Sequence, residues 1–267
     1  MQFVRTPADA PPDVTRSLRR AVVLLRLLST HMQIGWRLSD LAAQAQLDPA
    51  TVHRLLAGLC DERLATRVPG TLRYTLGPLA FELGIAAEPY FNLDRTAGQR
   101  LAALATELGG TLYLKVRSGV DSVCIARHDG SQTVLALLLE VGGRRPLCLT
   151  AGGVAMLIRL PRVQQQDIER LNRDAMARQG DTRWPGVRRM LRRSRQCGFG
   201  LNLGDIGPGI CTVSVALPSA GQAPVASLGL ALALATGSLT ESRAADLASA
   251  LGAEAMDLQP HLARLRL

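Results

Sequence analysis

Residues 41–59, LAAQAQLDPATVHRLLAGL, hold the end of one helix and the immediate start of another. Asp48 is placed to cap the second helix by accepting bonds from its unpaired first-turn amides. Pro49 fits the first helical position, where its missing N–H costs nothing. Val52, Leu55, Leu56 and Leu59 follow at i, i+3, i+4 and i+7, a single stripe to bury. Ala42 and Ala43 are small enough for close helix contact, and Leu47 can plug the turn. With the stripe inward, Thr51, His53 and Arg54 face outward near the start of the helix, the part of a recognition helix that reaches base edges. An ordinary two-helix corner with a solvated polar face fits the same residues.

The flanking sequence narrows the choice. Upstream, SLRRAVVLLRLLST (17–30) places Leu18, Val22, Leu25 and Leu28 at helical spacing. RLSDLAAQAQ predicts a second helix capped by Ser39, and the third helix extends from Asp48 to about Cys60. Then LATRVPGTLRYTLG (64–77) changes period, with two short strand-like runs around Pro69-Gly70-Thr71. Three helices followed by a hairpin is the winged helix-turn-helix order. Arg67 and Arg73 stand near the two ends of the wing, and Arg37 lies just before the second helix. All three suit phosphate contacts that orient such a domain without reading sequence.

Beyond Gly77, two connecting helices, broken near Pro89, lead into a mixed region with strand-like runs TLYLKVRS, DSVCIARH, TVLALLLEV, CTVSVALP and PVASLGLALALA. Helical stretches lie between them and at the end of the chain. The expected organisation is a disordered tail over 1–15, a winged helix-turn-helix over 16–77, a linker helix over 78–92 and a second domain over 93–267. This is an α+β, two-domain plan.

Composition bounds the chemistry. The 267 residues are 47% hydrophobic but only 3% aromatic, so aliphatic side chains must build the cores. The net charge is +9, with Lys115 the only lysine. Residues 1–90 carry ten Arg against eight acids, so any DNA contact there depends on local placement and not on bulk field. Cys60, Cys124, Cys148, Cys197 and Cys211 are odd in number and widely spaced, wrong for a disulfide framework or a zinc site. No signal-peptide run or charge-free membrane span is visible, and ASLGLALALAT (226–236) is too short to cross a bilayer. A soluble, cytoplasmic protein is expected, without cofactor or metal.

Several segments together resemble the IclR family of bacterial transcriptional regulators. They are RSLRRAVVLLRLLS, LSDLAAQAQLDPATVHRLLAGL and RYTLGPLAFELG in the first part, then VGGRRPLCLTAGGVAMLIRLP, SRQCGFGLNLGDIGPGICTVSVALP and PVASLGLALA. The resemblance implies an N-terminal winged helix-turn-helix joined by a helical linker to a C-terminal GAF-like α/β effector-binding domain. It implies an operator in double-stranded DNA, a small organic metabolite as effector, and a homodimer or homotetramer. Thr51, His53 and Arg54 fall on its recognition helix. Its effector pocket maps onto Val134, Leu137, Ala151, Gly152, Asn202, Ile210, Thr212, Gly229 and Ala231. The amides of Ala151, Gly152 and Gly153 open a helix and offer a carboxylate site without any buried lysine, while Asn202 and Thr212 add side-chain donors. Here Pro49-Ala50 replace the family's usual basic residue and Ser, Arg63 its usual Gly, Val154 the Lys of Gly-Lys, and Ser214–Leu217 an Ala-Ala-Pro-Val run.

Two other features invite function. RWPGVRRMLRRSRQ gathers Arg183, Arg188, Arg189, Arg192, Arg193 and Arg195, but Val187 and Leu191 at four-residue spacing fit a solvated amphipathic helix. Cysteines in a GAF-like domain raise the alternative of a thiol-dependent enzyme with an accessory winged-helix interaction module. No CxxC pair, nucleophile elbow, phosphate loop or paired-carboxylate signature accompanies them, and the chain is expected not to be an enzyme. A winged helix whose second domain only oligomerises is a further alternative.

Overall fold

The computed structural model describes residues 13–30, 34–91, 94–132, 140–217, 223–234 and 238–262. The chain divides into two compact units, one ending at Pro89 and the other beginning at Tyr90.

In the first unit, α1 (Asp13–Leu28), α2 (Leu38–Ala45) and α3 (Pro49–Asp61) precede the strands β2 (Ala65–Arg67) and β3 (Arg73–Leu76) and the helix α4 (Pro78–Phe91). A two-residue strand β1 (Trp36–Arg37) adds a third member, giving the antiparallel order β1-β3-β2. Leu24, Leu28, Trp36, Leu41, Val52, Leu56 and Leu59 form the core. Full burial of one such aliphatic side chain contributes roughly 1.5–3 kcal/mol.

Local expectations differ at five points. Helix α1 begins at Asp13, inside the stretch expected to be a tail. It buries Leu24 and Leu28, with Leu25 half-buried, while Leu18 and Val22 stay exposed, so the inward stripe is rotated from the predicted one. Arg37, not Ser39, occupies the N-cap of α2, and the Ser39 hydroxyl donates to Asp40 instead. Ala42 is buried but Ala43 is exposed, so only the first gives the close helix contact. Helix α4 continues through Pro89 to Phe91, past the expected break. Arg63 adopts a left-handed φ of +58° where the chain turns from α3 into β2, a conformation that favours glycine.

The second unit is a six-stranded antiparallel sheet in the order β6-β5-β4-β9-β8-β7. Its strands are β4 (Thr111–Ser118), β5 (Asp121–Asp129), β6 (Arg144–Pro146), β7 (Gly200–Leu203), β8 (Ile210–Ala216) and β9 (Ala226–Ala233). Side chains alternate between its faces. Leu112, Leu114, Leu228, Leu230, Cys211 and Val213 point one way, into a core closed by α5 (Asp94–Leu108) and α9 (Glu241–Leu262). The other face carries the polar and small residues Tyr113, Lys115, Asn202, Thr212, Ser214, Ser227 and Gly229. Helix α6 (Ala151–Leu157) lies on that face, backed by α7 (Arg162–Arg178) and α8 (Trp184–Cys197) around a second apolar core. An apolar outer face and a polar inner face under a short helix leave room for a site.

Two glycines let α6 and Tyr113 fit. A Cβ on Gly152 would stand 2.7 Å from Ser227 Oγ, and one on Gly229 would stand 2.4 Å from the Tyr113 ring. Both distances are far inside van der Waals contact, so these positions admit no side chain without movement.

Candidate functional site

Helix α3 is built as its sequence requires. Pro49 occupies the first turn, and Asp48 Oδ1 accepts the Thr51 amide at 2.8 Å. The Thr51 side chain and amide beside it hold the Asp48 carboxyl below the usual aspartate value. With Val52, Leu56 and Leu59 buried, His53 and Arg54 are exposed on the opposite side. Thr51 is half-buried and engaged with Asp48, so its first role is to fix the helix start and not to stand free on the outward face.

The three other arginines divide. Arg37 and Arg67 are exposed, with the Arg67 guanidinium 5.7 Å from the Tyr74 ring centroid. Arg73 is half-buried, and its Nη1 donates to the Gly35 carbonyl at 2.9 Å. That bond ties the wing to β1, so part of the guanidinium expected at phosphate serves the fold.

A small cavity of about 40 Å³ opens on the inner face of the six-stranded sheet. It is lined by Tyr113, Lys115, Thr150, Asn202, Ile206 and Thr212, with Leu149, Ala151, Gly207 and Ile210 completing the wall. Four expected effector residues, Ala151, Asn202, Ile210 and Thr212, therefore meet there. Gly152 and Gly229 do not line it: both lie against Tyr113. Ala231 is also set back, fully buried with Tyr113 and Cys124. Val134 and Leu137 lie outside the described residues.

The expected carboxylate nest at the start of α6 is partly occupied. Thr150 caps the helix, its Oγ1 accepting the Gly153 amide at 3.0 Å. Asn202 is equally committed. Its Nδ2 donates to the Ile210 carbonyl, and its Oδ1 accepts the amides of Asp205 and Ile206, which shapes the turn between β7 and β8.

The charge in the cavity comes from Lys115, which the sequence reading missed. Its side chain is 0% exposed, with Nζ 5.4 Å from the Tyr113 ring centroid. Burial pulls its pKa from 10.5 to about 8, opposed by the Cys124 thiol and reinforced by Arg145. Burial pushes the Tyr113 phenol up, partly offset by Ser214, whose hydroxyl lies 2.6 Å away. The available signal was a lone lysine alternating with a tyrosine inside the strand run TLYLKVRS.

The arginine-rich helix α8 buries Val187, Met190 and Leu191. Arg189 and Arg193 pair with Asp205, and Arg195 pairs with Glu169. Among the described residues no group of three or more His, Cys, Asp or Glu side chains is arranged to hold a metal, and no helix is long and apolar enough to cross a membrane.

Comparison with known proteins places both units. Residues 17–69 match the family model for the IclR helix-turn-helix domain, and residues 89–259 match that for the bacterial transcriptional regulator IclR C-terminal domain. The DNA-binding transcriptional repressor YiaJ of Escherichia coli is 29% identical over 142 residues, 53% of this chain and 50% of that protein. The chain thus spans about half the length of the curated relatives it matches. The fold is shared with an IclR-family regulator from Brucella abortus, with a TM-score of 0.71 at 18% identity over 96% of this chain and 95% of that one. It is also shared with an IclR homologue from Microbacterium hydrocarbonoxydans solved with 4-hydroxybenzoate, with a TM-score of 0.60 at 18% identity over 94% and 99%. The two matched models together cover the capped α3 and the six-stranded sheet with its cavity, and the chain belongs to the IclR family.

Proposed function

We propose that the protein is a sequence-specific DNA-binding transcriptional regulator that responds to a small metabolite. The observation that carries this is helix α3, rigidly capped at Asp48 and packed through Val52, Leu56 and Leu59, with His53 and Arg54 presented outward. Arg54 reads a base edge or grips a phosphate; Arg37 and Arg67 orient the unit on the backbone, with Arg73 in support. The cavity beneath α6 is the effector site. The 4-hydroxybenzoate bound by the Microbacterium relative supports a small-molecule occupant for this pocket.

The metabolite shifts the balance between DNA-competent and incompetent arrangements through its differential affinity for them. Helices α4 and α5, in the chain segment that joins the units, carry the coupling. A homodimer or homotetramer presents two recognition helices to a pseudo-palindromic operator in the cytoplasm.

The thiol-enzyme alternative has an observation against it. Burial raises the pKa of Cys60, Cys124, Cys148, Cys197 and Cys211, the reverse of thiol activation. The test of the regulator reading is a gel shift with the DNA upstream of the protein's own gene. A specific complex that weakens as salt rises supports it, and no complex at low salt refutes it.

A further inference from the structure

Helix α8 gathers its arginines on one side. Arg188, Arg192 and Arg195 follow at i, i+4 and i+7 with Arg189 beside them, while Val187, Met190 and Leu191 are buried. These four arginines and Glu169 of α7 border an open groove of about 350 Å³, completed by Pro185 and Leu191. That volume falls in the range of small-ligand sites, roughly 300–1,000 Å³. The groove lies wholly within the second unit and shares no lining residue with the cavity beneath α6. An inference about it therefore stands apart from the effector reading.

The charges in the groove are not balanced by the fold. Four arginines against one glutamate leave its lining at +3. Arg195 donates through Nη2 to Glu169 and to Gln165 Oε1, while its Nε is buried with no hydrogen-bond partner among the described residues. Arg189 gives only its Nε to Asp205, at 3.0 Å, and Asp205 is shared with Arg193. Arg188 and Arg192 are exposed and have no ion-pair or hydrogen-bond partner among the described residues. Like charges four residues apart on a helix repel, so the Arg188–Arg192 pair works against the helix that carries it. A merely solvated face needs no concave space onto which such charges converge.

An occupant that satisfies several guanidiniums at once must carry many acceptor oxygens and more than one negative charge in a small volume. A phosphoryl group brings three acceptor oxygens and about 1.5–2 charges, and the guanidinium fork pairs with it through two parallel bonds. A single carboxylate brings one charge and leaves the other arginines unmatched. No aromatic side chain lines the groove, so a nucleobase or a single strand of nucleic acid has no platform to stack on. We propose that the α8 groove is a second small-molecule site, which binds a compact metabolite bearing two or more phosphoryl groups. Arg188 and Arg192 hold the phosphoryl oxygens, and Arg189 and Arg195 flank them with their remaining N–H groups.

The test is calorimetric titration of the full chain with inorganic pyrophosphate, orthophosphate and a hexaglutamate peptide, at about 0.15 M salt so that diffuse surface attraction is screened. Pyrophosphate should saturate one site per chain and bind at least about ten-fold more tightly than orthophosphate, because it meets two guanidiniums and not one. Arg188→Gln/Arg192→Gln removes two exposed side chains without breaking an ion pair among the described residues, and glutamine keeps the helix propensity. That variant should weaken pyrophosphate at least about ten-fold. Arg178→Gln/Arg243→Gln removes the same charge from exposed positions elsewhere in the second unit and should change the affinity by less than about two-fold. No saturable binding, equal affinity for pyrophosphate and orthophosphate, or a groove variant that binds as the unsubstituted protein does overturns the proposal. So does equal weakening by the two pairs of substitutions, which assigns the effect to net charge, or tighter binding of hexaglutamate, which assigns the groove to an acidic peptide. The gel shift with promoter DNA is read separately, since its failure removes the regulator reading and leaves the groove titrations untouched.

Discussion

Replacing Lys115 by Met should change how stability depends on pH, and the size follows from its environment. In the unfolded chain the ammonium loses its proton near 10.5, whereas burial brings this to about 8 in the fold. Below pH 8 both states are charged, and the folded state bears the full cost. Between about 8 and 10.5 the unfolded chain binds more protons than the fold, so the contribution of this group rises with pH. Above that window both states are neutral and the cost is gone. A difference of about 2.5 units corresponds to about 3 kcal/mol across the whole window, of which about 1 kcal/mol falls between pH 7 and 9. The five thiols act in the opposite sense: with folded values raised, they hold protons that the unfolded chain has released. The measurement is therefore the difference between the two proteins, which cancels the thiols. Urea denaturation followed by Trp184 fluorescence, with Trp36→Phe in both proteins, isolates the second unit. The advantage of Met over Lys should shrink by about 1 kcal/mol from pH 7 to 9. A difference that stays constant, or grows, would refute a buried, low-value ammonium.

Gly229→Ala should destabilise the second unit by about 1–3 kcal/mol, because its Cβ would stand 2.4 Å from the Tyr113 ring and 2.3 Å from Ser214 Oγ; urea denaturation reads the loss. Arg63→Gly should leave stability unchanged or raise it by up to about 1 kcal/mol in thermal melts. Relief of the left-handed φ outweighs a solvent-exposed ion pair with Glu82. Arg54→Ala, assayed against a panel of single-base operator variants, should cost about 1–3 kcal/mol and relax preference at one position if it reads a base. An even loss across the panel assigns it to phosphate.

Legibility in the sequence followed the range of the interactions. The α3 reading needed only neighbours along one helix: the cap at Asp48, the proline at its first turn and the stripe Val52–Leu56–Leu59, and these stand in the fold as read. The stripe of α1 was misjudged because an apolar surplus around Leu18, Val22 and Val23 offers more than one face, and tertiary packing selected Leu24 and Leu28. Strand β1 is two residues long and exists only through its pairing with β3, so no local period announces it. In the cavity, Ala151, Ile210 and Thr212 were legible from family-like segments. Lys115 was not, because its burial depends on β4 lying between β5 and β9 with α6 above. The same long-range packing turned Gly152 and Gly229 from wall residues into spaces for Ser227 and for Tyr113.

The central claim is that packing one side of α3 presents His53 and Arg54 to a duplex. Fluorescence anisotropy of a labelled promoter duplex, titrated over a range of salt concentrations with the unsubstituted protein and a His53→Ala/Arg54→Ala variant, addresses it most directly. The account predicts binding whose logarithm falls linearly with log salt, and a variant that folds normally but loses preference for the promoter over unrelated DNA. An equally selective variant, or binding indifferent to salt, would contradict it.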